Sequence, residues 1–180
     1  LGYRTVAVYS DADAQALHVQ MADEAVNIGP GPVQQSYLNI AAILKAARIT
    51  GADAIHPGYG FLSENAEFAR ACQHANITFI GPSPEAIELM GSKRLSKLAM
   101  LEAGVPCIAG YQGRQQDDAT LQQEAQRIGY PLMVKASAGG GGRGMRLVHD
   151  STKLLDQLRT ARSEAMNAFG SDELILEHAL

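Results

Sequence analysis

The chain has 180 residues, 46% of them hydrophobic, and a formal net charge of -4. A chain of this length buries roughly 70% of its unfolded surface, enough for one real core and a small second lobe. With 15 Lys and Arg against 19 Asp and Glu and no basic cluster, the composition argues against nucleic acid or an acidic membrane surface as the main partner.

No apolar run approaches the roughly 18 residues of a membrane span, and the start Leu-Gly-Tyr-Arg lacks a signal-peptide pattern, so a cytoplasmic protein is expected. Cys72 and Cys107 show neither Cys-x-x-Cys spacing nor a metal-site pattern and are expected as free thiols.

Thr5 to Tyr9 predicts a buried strand, with Gly2 placed as the cap glycine of a helix whose start would precede the chain. Ser36 is the expected N-cap of a helix carrying Tyr37, Ile40, Ala41, Leu44 and Ala47 at helical spacing, stopped by Gly51. A short strand at Ala54 and Ile55 runs into the loop His56-Pro-Gly-Tyr-Gly60. A helix from Glu64 to His74 behind Ser63, a strand Ile77 to Ile80, and a short helix opened by Gly81-Pro-Ser-Pro84 continue the alternation. Strand, helix, strand, helix implies a parallel sheet with crossovers. Ligands of such sheets lie beyond the carboxyl ends of the strands, where the His56 to Gly60 loop falls.

Gly91-Ser-Lys-Arg94 leads into a helix reaching Glu102, with Gly104 and Pro106 as stop signals. Two cations in the first turn oppose the helix dipole, at a cost of a few tenths of a kcal/mol each. Helix stability does not explain them and a nearby phosphate would, so Lys93 is a candidate ligand. Composition turns polar near Val105 to Gln112, where a domain boundary is expected. Beyond it come a helix from Thr120 to Ile128, a glycine hairpin, a helix from Thr152 to Ala168 capped by Ser151, and a strand Leu174 to Glu177, which together make an α+β lobe.

The hairpin carries most of the chemistry. Leu132 to Lys135 and Met145 to Val148 are short, β-prone flanks around Gly139, Gly140, Gly141 and Gly142. A glycine run inside a folded domain costs roughly 1 kcal/mol per residue in chain entropy, and exposed consecutive N–H groups suit a phosphate. A Walker loop or a dinucleotide fingerprint would lead from the glycines into a helix. Here they lead into a strand, as a flap. Lys135 shares a face with Met133 and ends the first strand beside that flap.

The segments His56-Pro-Gly-Tyr-Gly-Phe-Leu-Ser-Glu-Asn65, Phe79-Ile-Gly-Pro-Ser83, Met90-Gly-Ser-Lys93, Ala103-Gly-Val-Pro106 and Lys135-Ala-Ser-Ala-(Gly)4-Arg-Gly-Met145 resemble biotin carboxylase, an ATP-grasp family, in order and spacing across essentially the whole chain. The resemblance implies an α/β fold: a Rossmann-like parallel sheet (pre-ATP-grasp domain, residues 1–106 with its linker helix), then a small α+β ATP-grasp lid (residues 107–180). It matches Lys93, Lys135, Gly139 to Gly142 and Met145 to the ATP site. It matches Glu177, His178 and Leu180 to the strand that reads adenine, with Glu177 facing the amino group, and Tyr59 and Gly60 to a loop lining the biotin pocket.

The implied reaction is carboxylation of biotin by bicarbonate with MgATP, through carboxyphosphate. Biotin would be a carried substrate on a carboxyl carrier domain, a carboxyltransferase subunit would use the product, and the full enzyme would be a homo-oligomer. The resemblance places the family's first strand before Leu1. It places the ligands of Mg or Mn and the bicarbonate and biotin arginines beyond Leu180, so no catalytic or metal residue is assigned here and the piece alone is not expected to turn over. Ala138 stands where many members have glycine. Gly110-Tyr-Gln-Gly113 and Asp117-Asp118 lean toward methylcrotonyl- or geranyl-CoA carboxylase subunits. The competing readings are another ATP-grasp ligase of the carbamoyl-phosphate synthetase type, a non-catalytic nucleotide-binding module, and a dinucleotide-binding domain.

Overall fold

The computed structural model describes residues 2–139 and 144–180. The chain forms two compact units, Leu1–Glu88 and Leu89–Leu180. The first contains strands β1 (Val6–Tyr9), β2 (Glu24–Asn27), β3 (Ala54–Ile55) and β4 (Thr78–Phe79), with helices α1 (Leu17–Met21), α2 (Ile40–Thr50) and α3 (Ala66–His74). Helix α4 (Pro84–Gly91) carries the chain through the division. The second unit adds α5 (Lys93–Glu102), β5 (Gly110–Tyr111), α6 (Asp118–Ile128), β6 (Leu132–Ala136), β7 (Arg146–Val148), α7 (Ser151–Phe169) and β8 (Leu174–His178).

In the first unit β1 pairs with β2 and β3 with β4, both parallel, so the expected parallel sheet appears as two separate pairs among the described residues. Sequence reading had no element between Ser10 and Ser36, where α1 and β2 lie. Both are short, and the half-buried positions of β2 are Glu24 and Val26 while Ala25 is exposed, so its burial does not show as an apolar period in the sequence. Leu44, Ala47, Leu62, Phe68, Cys72 and Ile77 form the core. Phe68 meets Phe79 edge-on with centroids 5.8 Å apart.

Three expected helix starts shift. Ser36 is not the cap of α2: it is fully buried and its hydroxyl donates to the Pro32 carbonyl, while the Asn39 side chain accepts from Ala42 N–H. Asn65, not Ser63, caps α3 by accepting from Phe68 N–H. Asp150 caps α7 and makes Ser151 its first residue. Asn39 and Asn65 lie nearer their helices than the expected serines, Asp150 lies one residue before Ser151, and each side chain accepts a free N–H, which is the physical requirement of a cap.

The second unit is built on a four-stranded antiparallel sheet in the order β5-β8-β6-β7. Leu132, Val134 and Ala136 alternate with half-buried Met133 and Lys135, which gives the sheet a dry face and a mixed face. Leu121 and Ala125 of α6 and Leu154, Leu158 and Ala161 of α7 cover the dry face, each at most 1% exposed. The Gln116 side chain ties the incoming loop to β8, donating to the Gly113 and Leu174 carbonyls and accepting from Leu174 N–H. The boundary expected from composition, Val105 to Gln112, is the stretch that leaves α5 and contains β5; the compact units divide earlier, between Glu88 and Leu89, and α5 lies in the second, where Arg94 pairs with Glu173 and Lys97 with Glu177.

Candidate nucleotide site

The mixed face of the second unit's sheet and helix α5 enclose an open cleft of about 430 Å³, within the roughly 300–1,000 Å³ range of small-molecule sites. Met90, Met100, Ile108, Met145 and Ile175 make its lining mainly apolar, while Lys93, Lys97, Lys135 and Glu177 bring charge to it.

Local hydrogen bonding fixes where the lysines emerge. Ser92 caps α5, accepting from Leu95 N–H at 3.2 Å, and its backbone bridges Ala138 just past the end of β6. Lys93 N–H donates to the Ser137 carbonyl at 2.8 Å. The first turn of α5 is thereby locked to the strand that carries Lys135. Lys93 Nζ turns toward the Ala138 and Gly139 carbonyls. Burial, and then repulsion from Lys135, hold its pKa below the ordinary lysine value. Two cations held near each other and partly dehydrated make a site that gains from an anion. Arg94, the other first-turn cation, is instead engaged by Glu173 in an ion contact at 2.7 Å.

Register sets the remaining geometry. Met133 pairs with Glu177 and Lys135 with Ile175, so Lys135 and Glu177 are diagonal neighbours on the cleft face. Lys135 Nζ donates to one Glu177 oxygen at 2.5 Å and Lys97 Nζ to the other at 2.7 Å. Burial alone would raise the Glu177 pKa, but the hydrogen bonds from Lys135 and Lys97 and the charges behind them outweigh it, leaving the carboxyl below its ordinary value. An adenine amino group at Glu177 would therefore share a carboxylate that two lysines already hold.

The expected site residues are partly assembled. Lys93, Lys135, Met145 and Glu177 line one cleft. His178 is on the opposite face of β8 from Glu177 by strand alternation; its Nδ1 is buried without a hydrogen-bond partner among the described residues, and its N–H donates to the Ala109 carbonyl. Leu180 is fully exposed. Gly139 has φ +75° and a Cβ there would overlap the Phe169 ring, so this glycine has a packing reason independent of any ligand. Gly140, Gly141 and Gly142 lie outside the described residues. Tyr59 and Gly60 belong to the first unit, with Tyr59 97% exposed.

Sequence reading missed Lys97. The available signal was its position one helical turn after Lys93, which puts both on one face of α5.

The residues present fit a nucleotide: an apolar cleft for a base or sugar, with two converging lysines for phosphate. They do not fit a divalent cation, because the carboxylate of the cleft is already paired with two ammonium groups. Among the described residues no group of three or more His, Cys, Asp or Glu is arranged to hold a metal ion, and no helix is long and apolar enough to cross a membrane.

Comparison with known proteins agrees with this architecture. Residues 1–87 match the family described as biotin carboxylase, N-terminal domain, and residues 92–180 match the carbamoyl-phosphate synthase L chain, ATP binding domain. The chain is 54% identical over 177 residues to the alpha subunit of mitochondrial methylcrotonoyl-CoA carboxylase of Oryza sativa, covering 98% of this chain and 24% of that protein. It is 51% identical over 181 residues to the biotin carboxylase of Haemophilus influenzae, covering 100% of this chain and 40% of that one. The chain thus spans between about a quarter and two fifths of the length of these relatives.

Among solved structures, the Campylobacter jejuni biotin carboxylase in complex with β,γ-ATP superposes with a TM-score of 0.94 at 47% identity, over 99% of this chain and 40% of that one. The biotin carboxylase domain of Hydrogenobacter thermophilus 2-oxoglutarate carboxylase, with MgADP, ADP and bicarbonate, gives 0.93 at 47% identity, over 99% and 39%. With both matched domains in the same order, this chain belongs to the biotin carboxylase family.

Proposed function

We propose that this chain supplies the nucleotide-binding part of an enzyme that uses MgATP and bicarbonate to carboxylate biotin through carboxyphosphate. The observation that carries the reading is the convergence of Lys93 and Lys135 on one cleft, locked together by the Ser92–Ala138 bridge. In this reading the lysines neutralise phosphate charge, the glycine hairpin (Gly139 to Gly142) covers the phosphates, and Met145 packs on the nucleotide. Glu177, His178 and Leu180 form the adenine edge, where His178 and Leu180 act through backbone groups. Phosphoryl transfer is mostly positioning and charge neutralisation, which suits lysines and backbone N–H groups as tools.

The chain then comprises a pre-ATP-grasp domain and an ATP-grasp lid. Biotin arrives on a carboxyl carrier domain, with Tyr59 and Gly60 near its pocket, and a carboxyltransferase subunit takes the carboxyl group onward within a homo-oligomeric, cytoplasmic enzyme. Magnesium in this scheme is held by residues other than the cleft's own carboxylate. A methylcrotonyl- or geranyl-CoA type of enzyme is favoured by Gly110-Tyr-Gln-Gly113 and by the similarity to a methylcrotonoyl-CoA carboxylase subunit.

The test is steady-state kinetics of the intact enzyme. Lys135→Ala should raise the KM for ATP about tenfold or more, the effect of removing one charge-assisted contact; an unchanged KM contradicts the proposal. A second reading, a carbamoyl-phosphate synthetase-like ligase, is favoured by the match over residues 92–180. Bicarbonate-dependent ATP hydrolysis that rises with free biotin selects the first reading, and hydrolysis indifferent to biotin selects the second.

A further inference from the structure

Lys97 lies outside the nucleotide contacts proposed above, yet at 9% exposure it is the only buried lysine among the described residues. Its ammonium sits 2.7 Å from Glu177 Oε1. The structure also makes room for it. Gly110 pairs with Glu177 across the β5–β8 ladder, and a Cβ at Gly110 would meet the Leu176 carbonyl at 2.3 Å and Lys97 Nζ at 2.8 Å, so the bare backbone here leaves space for both. A helix and two strands therefore converge to seat one cation beside one carboxylate.

Glu177 is shared between Lys97 and Lys135, and its side chain is 13% exposed. A carboxylate at that depth is costly to leave without a cation. If Lys135 were its sole partner, an incoming phosphate would have to compete with Glu177 for that lysine.

We propose that Lys97 is a positioning residue of the nucleotide site: it keeps Glu177 paired, so that Lys135 is free to turn to an anionic ligand. This rests on the reading that Lys135 binds phosphate, and it adds a residue that works through Glu177. Two lysines on one carboxylate leave a net positive charge for the ligand. One lysine on that carboxylate leaves a closed neutral pair.

The experiment is a mutant cycle in the intact enzyme, reading the KM and kcat for ATP at pH 8. Lys97→Met should raise the KM for ATP about tenfold at pH 8, the scale of one charged hydrogen bond, with kcat changing less. Lys97→Met combined with Glu177→Gln should have a KM below that of Lys97→Met and equal to that of Glu177→Gln alone, because the carboxylate competing for Lys135 is gone in both.

A wild-type KM in Lys97→Met, a kcat that falls as much as the KM rises, or a double variant no better than Lys97→Met would each overturn the proposal. A double variant as weak as the single would mark Lys97 as a direct ligand contact. If Lys97→Met does not fold, Lys97→Gln, which keeps a hydrogen bond to Glu177 without the charge, enters the same cycle. A normal KM in Lys135→Ala sinks the nucleotide reading itself. A raised KM there with an inert Lys97 sinks the positioning role alone.

Discussion

The two compact units solve the burial problem in different ways. In the first, β1 is half-buried along its whole length, β3 and β4 have two residues each, and the buried core has six members. In the second, β6 and β8 each bury three of five residues, and the ten members of the core are at most 1% exposed. Parallel pairs want cover on both faces, whereas an antiparallel sheet is satisfied by one packed face. The second unit covers one face with α6 and α7 and keeps the other for chemistry. A site can be built there because the strands beneath it are held from behind.

That contrast can be broken by mutation. Leu176→Ala, at a position 0% exposed, should cost about 3–5 kcal/mol, and Leu44→Ala, at 7%, nearer the lower end of about 2–5 kcal/mol, since a partly open site relaxes into the gap. Urea unfolding of the intact protein measures both, and a larger loss at Leu44 would reverse the ranking of the two cores. Next in size, Asn65→Ala should cost about 0.5–2 kcal/mol through loss of the α3 cap, whereas Ser63→Ala should be near neutral; equal losses would return the cap to Ser63.

A smaller effect follows from Glu177. Its pKa is lower in the fold than in the unfolded chain, so its contribution to stability is complete above the ordinary glutamate value of about 4.3 and is lost as pH falls through the depressed folded value. Glu177→Gln should flatten the acid limb of the stability curve in that window; a limb as steep as wild type would mean the ion pairs contribute nothing there. Lys93 has the opposite consequence. Its lowered pKa means that ATP affinity should fall, as pH rises, earlier than an ordinary lysine would dictate, with proton uptake on binding in that range. Calorimetry in buffers of different ionisation enthalpy detects the uptake.

The smallest difference is in reactivity. Cys72 is 0% exposed and burial pushes its thiol pKa up, whereas Cys107 is half-buried and lines the cleft. A thiol reagent should label Cys107 first, and ATP should slow that labelling. Equal rates, or no protection by ATP, would detach Cys107 from the site.

Sequence patterns located much of this. The glycine run between β-prone flanks marked a strand hairpin, and along β6 buried Leu132, Val134 and Ala136 alternate with half-buried Met133 and Lys135 as the sequence implies. Lys93 stood out as a cation at the wrong end of a helix dipole. Helix starts were misplaced by one to three residues because Ser, Asn and Asp cap by the same hydrogen bond, and several such residues crowd each start. β2 was missed because its partner, β1, lies far back in the sequence and supplies most of its reason to be a strand.

Local chemistry, then, is written in the order of residues: apolar alternation, helix periods and glycine runs act over a few positions and declare themselves without the fold. Which charges meet is not, because Lys97, Lys135 and Glu177 come from three elements far apart in the chain and are joined by strand register and helix docking. The same holds for Gly110 and Gly139, whose lack of a side chain reads as loop composition until the Leu176 carbonyl and Lys97 ammonium at the one and the Phe169 ring at the other are seen against them.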